Sequence, residues 1–338
     1  MELTALTPDD LARLMPRDGR PSLARGKAVW RQLREAEPGT WPRPSTDLGQ
    51  GAIDALAGRV RLPEVTMVER RDAADGTIKW RLACRGLPIE TVMIPSPGTG
   101  RATVCVSSQS GCTRWCDFCA TARMTFGGGL SAGEIVQQVM IARRAATAAG
   151  LPLTNVVFMG MGEPLDNLDA VLGAIRVIDQ GLGIAPRHCT VSTSGVLPKM
   201  QRLWTESRAS LALSLHATTQ ELRDRLMPRV KKWPLAALRE WLVANADPKR
   251  PVFVEVALLA GVNDSEADAE RLVAWLEGIP ARVNLIPFNP TSHVPYRRPD
   301  RQVVRAFQRR VMAGGRLCIV RETRGDDALA ACGQLAAG

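Results

Sequence analysis

The chain has 338 residues, of which 45% are hydrophobic and 23% are charged, a balance typical of a folded globular protein and not of a disordered one. This length predicts two domains, or one large α/β domain with an appendage, and a core large enough to fold without disulfides. No apolar run reaches the roughly 18 residues of a membrane-spanning helix. The first residues lack the basic and apolar regions of a secretory signal. We therefore expect a cytoplasmic protein with no membrane partner.

The net charge of +10 comes from 44 Lys and Arg against 34 Asp and Glu. Most of the excess lies in residues 281–310, which contain seven arginines and a single acid, Asp300. A local basic patch of this kind suggests a polyanionic partner, most simply a nucleic acid. On charge alone, a solvated face without any partner is an equally good interpretation. The chain has only one Tyr and six Phe, too few for a sheet that stacks RNA bases on aromatic rings.

The predicted elements fall into two parts before residue 101. Residues 1–62 are predicted to form short helices, which make an N-terminal accessory domain. Residues 63–100 alternate apolar and polar side chains, and Asp75-Gly76 separates two such runs, which predicts a β-hairpin connector.

From residue 101 the pattern changes to strands that alternate with helices. One helix is predicted to begin at Ser131, where Glu134 completes a capping box, and another begins at Ser265. Six strands are predicted at 102–107, 155–159, 189–193, 211–215, 252–258 and 282–287. Six β/α units predict an α/β fold whose parallel sheet curves into an incomplete barrel over residues 101–320. In such folds the chemistry lies at the carboxyl ends of the strands.

Three of the eight cysteines lie within eight residues, in the loop after the first predicted barrel strand: Cys112, Cys116 and Cys119. In a cytosolic chain, such a cluster favours metal binding over disulfide formation. A structural zinc site uses four ligands. Three thiolates leave one position open, which suits a [4Fe–4S] cluster with one iron free to bind and cleave S-adenosylmethionine (SAM). A zinc site that borrows a distant fourth ligand is the alternative.

Eight motifs, in order, resemble the RlmN/Cfr family of radical-SAM RNA methyltransferases, and the chain is closer to the RlmN branch. The motifs are DGTIKW (75–80), ETVMIP (90–95), CVSSQSGCTRWCDFCAT (105–121), NVVFMGMGEPLDN (155–167), TVSTSGVLP (190–198), SLHA (214–217), NLIPFNP (284–290) and RETRGDDALAACGQL (321–335). The resemblance implies an incomplete (β/α)6 radical-SAM barrel with an N-terminal accessory helical domain and a β-hairpin extension. It also implies a C-terminal catalytic segment over residues 321–338.

The resemblance assigns the cluster to Cys112, Cys116 and Cys119. It also implies that SAM contacts residues at or beyond the strand ends, namely Gly162, Glu163, Ser192, Ser214, Leu215, His216 and Asn289. A carboxylate at Glu163 is suited to the ammonium group of the methionine part of SAM. Taken alone, the Gly-Met-Gly-Glu-Pro stretch is more often a strand-ending turn, and a lone His216 is more often a satisfied polar residue.

The family's reaction scheme gives roles to three further residues. One SAM methylates the Cys332 thiolate, and a second yields the 5′-deoxyadenosyl radical, which takes a hydrogen from that methyl group. The carbon radical adds to an electrophilic ring carbon of adenine, and Cys105 then attacks Cys332 to release the methylated base with formation of a disulfide. Glu90 occupies the position of the proton acceptor. Without the family, each cysteine would be a small buried hydrophobe and Glu90 an exposed strand carboxylate.

We therefore expect 2-methyladenosine formation in the peptidyl-transferase loop of 23S rRNA and in tRNA, at the adenosine 3′ of the anticodon. The expected cofactors are one [4Fe–4S] cluster per chain and two SAM per turnover, with an electron donor such as flavodoxin and no DNA partner. The alternative within the family is Cfr-type methylation at C8 of the same rRNA adenosine. An alternative of another class is a zinc-stabilised RNA-binding protein without turnover.

The chain departs from the family pattern at two places that bear on RNA binding. Gly127–Gly129 stand where a basic residue followed by Asn is common, and six residues follow Cys332 in place of the usual basic tail. We expect Arg229, Lys231, Lys232 and the arginines of 297–310 to supply the phosphate contacts instead.

Overall fold

The N-terminal helices are seen in a computed structural model, which describes residues 1–96, 98–291 and 294–336. Their bounds are Pro8–Leu14 (α1), Leu23–Glu35 (α2) and Gln50–Ala57 (α3). The helix α1 begins at a capping box formed by Thr7 and Asp10. In α2, the indole N–H of the buried Trp30 donates to the Leu6 carbonyl at 2.9 Å. The same ring lies so close to Gly181 that a Cβ there would come within 2.7 Å, so the helical region is packed directly against the barrel.

Three antiparallel strands follow, with bounds Val65–Asp72 (β1), Ile78–Cys84 (β2) and Leu87–Ser96 (β3). The predicted Asp75-Gly76 turn joins the first two, and Gly76 adopts a φ of +80° that suits glycine. The strand β3 also pairs antiparallel with β4 (Arg101–Cys105), where Val92 lies opposite Cys105. The hairpin is therefore continuous with the barrel sheet.

A short antiparallel pair, β5 (Gln109–Ser110) with β6 (Gly128–Gly129), brackets the three-cysteine loop. The remaining strands are Leu153–Phe158 (β7), Cys189–Thr193 (β8), Ser210–Ser214 (β9), Val252–Leu258 (β10), Ala281–Pro287 (β11) and Leu317–Val320 (β12). Together with β4 they form seven parallel strands in the order β4-β7-β8-β9-β10-β11-β12. The predicted class, an α/β fold with an incomplete parallel barrel, is confirmed.

Helices connect the parallel strands, with bounds Ala132–Ala148 (α4), Leu168–Leu182 (α5), Leu197–Glu206 (α6), Gln220–Leu226 (α7), Leu235–Asn245 (α8), Glu266–Trp275 (α9) and Arg301–Ala313 (α10). Ser131 and Glu134 form the predicted capping box of α4. Ser265 and Asp268 form another at α9. No helix among the described residues is long and apolar enough to cross a membrane.

The sequence reading missed β12, the seventh parallel strand. Among the described residues this strand pairs with β11 alone, and it exposes Leu317 and Ile319 while burying Cys318. Its four residues end at an edge of the ten-stranded sheet, so they lack the long apolar run that marked the central strands.

Candidate active site

A cleft with an empty volume of about 1050 Å³ lies at the carboxyl ends of the parallel strands, and part of it is open to solvent. Parallel strands bring their carboxyl ends to one edge of a sheet, so residues far apart in the chain meet there. Ten of the predicted site residues line this cleft: Cys112, Cys116, Cys119, Gly162, Glu163, Ser192, Ser214, His216, Asn289 and Cys332. The structure therefore brings together most of the residues that the sequence singled out.

Neighbouring elements fix the three-cysteine loop at several points. The Asp117 amide donates to the Leu226 carbonyl at the end of α7, 2.9 Å away. The Tyr296 hydroxyl donates to the Asp117 carboxylate at 2.7 Å. Trp115 is in the left-handed region with a φ of +55° and is 57% exposed, a conformation that costs a bulky residue free energy.

The three thiols form a poorly solvated group that favours a bound cation. Burial, with a smaller contribution from the neighbouring thiolate of Cys119, raises the pKa of Cys112 to about 12. Burial and both neighbouring thiolates raise the pKa of Cys116 well above its ordinary value. Among the described residues, no three His, Cys, Asp or Glu side chains converge on a point that could hold a single metal ion. Cys112, Cys116 and Cys119 come from one loop and line one cleft, and three thiolate ligands suit an iron–sulfur cluster with one iron left open.

Glu163 presents a fixed carboxylate at the cleft. Its two carboxylate oxygens accept hydrogen bonds from the backbone amides of Leu165 at 3.1 Å and Ser194 at 2.8 Å. Burial raises the pKa of Glu163, and the two donors oppose this shift. The preceding Gly162 has a φ of +103°, and a Cβ there would lie 2.6 Å from the Gln109 side chain. Only glycine therefore fits, and the carboxylate is held where a cationic group in the cleft can pair with it.

His216 is a neutral hydrogen-bond donor in this site. Its Nδ1 accepts the Ala257 amide at 3.0 Å, which assigns the ring proton to Nε2. Burial, together with the charge of Arg223, lowers the pKa of His216 to about 3. The imidazole ring packs edge-on against Phe118, with ring centroids 4.8 Å apart. The backbone of His216 has a φ of +58°, which turns the chain at the end of β9.

The other polar residues of the cleft are tied to the backbone around it. The hydroxyls of Ser192 and Ser214 lie 3.2 Å apart at the ends of β8 and β9. The amide nitrogen of Asn289 donates to the Cys332 carbonyl at 3.0 Å. Its amide oxygen accepts hydrogen bonds from Arg298 at 2.7 Å and Thr323 at 2.8 Å. Asn289 thereby links β11 to the C-terminal segment that carries Cys332.

A second cleft, with an empty volume of about 1400 Å³, adjoins the first. Cys105 and Cys332 both line it, and Cys332 also lines the first cleft. Cys332 is an exposed residue, yet the surrounding protein reduces the hydration of its thiol and raises the pKa to about 12. Burial raises the pKa of Cys105 to about 12 as well. All eight cysteines are free thiols, and Cys332 stands where the two clefts meet.

Two predicted residues lie outside both clefts. Leu215 is fully buried and lines a small cavity beside His216. Glu90 is also buried, unlike the exposed strand carboxylate that its position alone suggested. Its carboxylate pairs with Lys79 at 3.1 Å and accepts the Ala336 amide at 3.0 Å.

Sequence reasoning missed two buried charged residues at the site. Glu255 lines both clefts, accepts a hydrogen bond from Asn284 at 2.8 Å, and has its pKa raised by burial. A single acid inside the apolar strand β10 was the available signal. Arg223 is fully buried and donates to the carbonyls of Ser214 at 3.0 Å and Leu215 at 2.6 Å. Nothing in the local pattern around α7 distinguishes Arg223 from an exposed helical arginine.

Basic and aromatic side chains alternate beside the three-cysteine loop. Arg229, Lys231 and Lys232 are exposed in the turn after α7. The Arg229 guanidinium lies 4.8 Å from the Trp115 ring centroid, and Lys232 Nζ lies 5.9 Å from that of Trp233. Such a surface can contact both the phosphates and the bases of a nucleic acid.

Some of the arginines in residues 281–310 bind other groups of the protein. Arg298 donates to the carbonyl of Phe288 at 2.8 Å and to Asn289. Arg310 on α10 pairs with Glu270 at 2.7 Å. Both arginines already have partners within the protein, which leaves fewer of the predicted cluster free for phosphates.

The fold and the site define the class of the protein. An incomplete parallel barrel holds three cysteines above the carboxyl ends of its strands, and residues 106–273 match the model of the Radical SAM superfamily. The protein is thus a radical-SAM enzyme, a class that uses a [4Fe–4S] cluster and SAM. The crystal structure of a radical SAM methyltransferase from Sphaerobacter thermophilus covers 100% of both chains with a TM-score of 0.89 and 38% identity.

Two curated relatives indicate to which family of radical-SAM enzymes the chain belongs. The dual-specificity RNA methyltransferase RlmN of Methylorubrum extorquens is 44% identical over 318 residues, which cover 86% of this chain and 74% of that protein. The enzyme of the same name from Methylorubrum populi is also 44% identical with the same coverage. The chain belongs to the RlmN family of radical-SAM RNA methyltransferases.

Proposed function

We propose that this enzyme forms 2-methyladenosine in RNA, at the peptidyl-transferase loop of 23S rRNA and at the adenosine 3′ of the anticodon in tRNA. Relatives at 44% identity named dual-specificity RNA methyltransferases support RNA as the substrate. The observation that carries the proposal is the position of Cys332. It lines both the cleft that contains the three clustered cysteines and the cleft that contains Cys105, as a thiol that carries a methyl group between two sites must.

In this proposal Cys112, Cys116 and Cys119 hold the cluster, and the polar wall of the first cleft binds SAM. When bound, these cofactors supply a transferable methyl group and the 5′-deoxyadenosyl radical. Glu163 binds the methionine ammonium through its carboxylate, and Gly162 gives that group room. The remaining SAM contacts are Ser192, Ser214, the backbone of Leu215, the Nε2 proton of His216, and Asn289.

Cys332 accepts the methyl group on its sulfur and carries it into the second cleft. After the methyl carbon has bonded to C2 of adenine, the Cys105 thiolate attacks the Cys332 sulfur. The S–S bond forms and the S–CH₂ bond breaks, and the electron pair leaves with the carbon, which takes up a proton to become the methyl of the product. The two cysteines line a common cavity, which supports this step.

Glu90 is proposed to accept the proton that leaves C2, and the unpaired electron of the adduct would return to the cluster. Arg229, Lys231 and Lys232 are proposed to contact RNA phosphates. The carboxylate of Glu90 is held by Lys79 and by the backbone of the C-terminal segment, so it becomes available to the base only when that segment moves. An electron donor such as flavodoxin would reduce the cluster. These assignments make the same segment responsible both for Cys332 and for access to Glu90.

Nucleoside mass spectrometry tests the proposal. Reconstituted enzyme, SAM, a reductant and unmodified rRNA or tRNA are incubated without oxygen, and the RNA is digested. We expect 2-methyladenosine from the wild type and none from Cys332→Ala. Cys318→Ala is the matched control, since Cys318 lies outside both clefts, and should retain activity. An 8-methyladenosine product would instead indicate Cfr-type regiochemistry, and SAM cleavage without any methylated adenosine would contradict the proposed substrate.

A further inference from the structure

A C-terminal stretch, here called the docked segment (residues 325–336), carries Cys332 and has few large side chains of its own. On the barrel side, backbone contacts hold it in place. The Ala120 amide, just after the three-cysteine loop, donates to the Gly333 carbonyl at 2.9 Å. The Thr121 hydroxyl donates to the Leu335 carbonyl at 2.6 Å. These contacts place the segment beside the cleft but involve only its last residues.

The turn between β1 and β2 holds the beginning of the docked segment. The Asp75 carboxylate accepts the Gly325 amide at 3.1 Å. The Ala74 amide donates to the Asp327 carboxylate at 3.0 Å. A Cβ at Gly325 would lie 2.8 Å from the Thr77 side chain, so the segment lies directly on the turn. The DGTIKW motif, which has no role in cofactor binding, therefore contacts the segment that bears the reactive cysteine.

A buried ion pair beneath the docked segment contacts it on both sides of Cys332. Lys79 Nζ and a Glu90 carboxylate oxygen lie 3.1 Å apart, and the two side chains are 5% and 3% exposed. Lys79 also donates to the Leu329 carbonyl at 3.1 Å. The other Glu90 oxygen accepts the Ala336 amide at 3.0 Å. The pair thus spans the segment from three residues before Cys332 to four residues after it.

If the pair served only to stabilise the hairpin, two apolar residues would contribute more to its stability, because two buried charges lose their hydration. Both groups of this pair keep a hydrogen bond that points away from the hairpin and into the docked segment. Hydrogen bonds to charged groups are about twice as strong as neutral ones. Lys79 and Glu90 therefore bind two backbone groups of the docked segment, the Leu329 carbonyl and the Ala336 amide. Apolar residues could not make these hydrogen bonds.

We propose that Lys79 and Glu90 form a latch that docks residues 325–336 on the hairpin and so positions Cys332 where the two clefts meet. Lys79 is a positioning residue, which acts on the reaction through the segment. Release of the Ala336 amide frees one oxygen of Glu90, so the segment opens and the carboxylate becomes available in the same event. The inference rests on the proposed function only for the chemical roles of Cys332 and Glu90.

Hydrogen exchange followed by mass spectrometry tests the latch on the cluster-loaded enzyme, with no RNA present. Lys79→Met removes the charge and the donor while preserving the length of the side chain. We expect amide exchange in residues 325–336 to accelerate by about tenfold or more, as for loss of one charged hydrogen bond. Exchange in β10 and β11 should not change. Arg70→Met is the matched control, since Arg70 pairs with Asp72 on exposed β1, and should leave exchange in the segment unchanged.

A second measurement separates positioning from general destabilisation. With RNA and SAM, Lys79→Met should yield more 5′-deoxyadenosine per methylated adenosine than the wild type, since SAM cleavage does not need Cys332 in place. If Lys79→Met does not fold, the Lys79→Met/Glu90→Gln double variant, which leaves no unpaired buried charge, takes its place with the same expected exchange. Wild-type exchange in residues 325–336 of either folded variant would overturn the latch. Faster exchange in the variant, together with a wild type that methylates no RNA, would leave the latch standing and remove the proposed function.

Discussion

Acid is expected to destabilise this protein through His216. In the folded state its Nδ1 accepts the Ala257 amide, and burial with the charge of Arg223 lowers its pKa to about 3. In the unfolded chain the imidazole has its ordinary pKa of about 6.5. Below that value the unfolded state binds a proton that the folded state does not, so the stability contributed by neutral His216 is lost as the pH falls from about 6.5 toward about 3.

The size of the effect follows from the two pKa values. One pKa unit corresponds to about 1.36 kcal/mol. Between about pH 7.5 and about pH 5, the unfolded state gains nearly the whole proton while folded His216 stays neutral, which lowers the free energy of unfolding by about 2 kcal/mol. Carboxylates also titrate in this range, so the loss must be measured against a variant that lacks only the imidazole.

His216→Asn is that variant. An Asn side chain places a carbonyl oxygen near the position of Nδ1, and Asn tolerates the left-handed φ of +58° better than most residues. Urea unfolding of both proteins without oxygen gives the free energy at each pH. We expect the wild type to lose about 2 kcal/mol more than His216→Asn between about pH 7.5 and about pH 5. Equal losses in the two proteins would refute a neutral, buried His216.

Two further predictions concern residues that line the clefts. Because burial raises the pKa of Glu255, the unfolded state loses this proton first, and stability is lost as the pH rises from the ordinary carboxyl pKa through the raised one. Glu255→Gln should therefore raise the free energy of unfolding at neutral pH. That gain should vanish in acid, and urea unfolding at both pH values checks it; a gain that persists in acid would place its origin elsewhere. Cys105→Ala should stall the reaction with RNA covalently attached to Cys332, which a denaturing gel detects as a shifted protein band. Recovery of only free RNA would contradict the role of Cys105.

Interactions between residues close in the sequence allowed part of the fold to be predicted. The Asp75-Gly76 turn and the Ser131–Glu134 capping box depend on residues within three positions of each other, so their signals are contained in short stretches. The central strands were marked by apolar runs because both faces of a parallel sheet are covered. The edge strand β12 has one exposed face, and its four residues carry no comparable signal.

The same reasoning explains which site residues could be grouped in advance. Residues at or after strand ends were expected to meet because the carboxyl ends of parallel strands share one edge, and nine of them line one cleft. Contacts that depend on how a late segment returns to an early hairpin have no local signal. Lys79 and Leu329 are 250 residues apart in the chain, and only the folded structure brings them together.

The composition of the docked segment explains why polar side chains from other parts of the chain bind its backbone. In the proposed mechanism the segment brings Cys332 close to bound ligands, which favours small side chains, and residues 328–333 consist of Ala, Leu, Ala, Ala, Cys and Gly. Such a segment buries too little apolar surface to fix its own position. Its backbone therefore supplies the contacts, and the partners must be polar groups that reach it from elsewhere. Asp75, Lys79, Glu90 and Asn289 are placed to do so, so the proposed latch connects the early hairpin to the proposed chemistry of Cys332 at the far end of the chain.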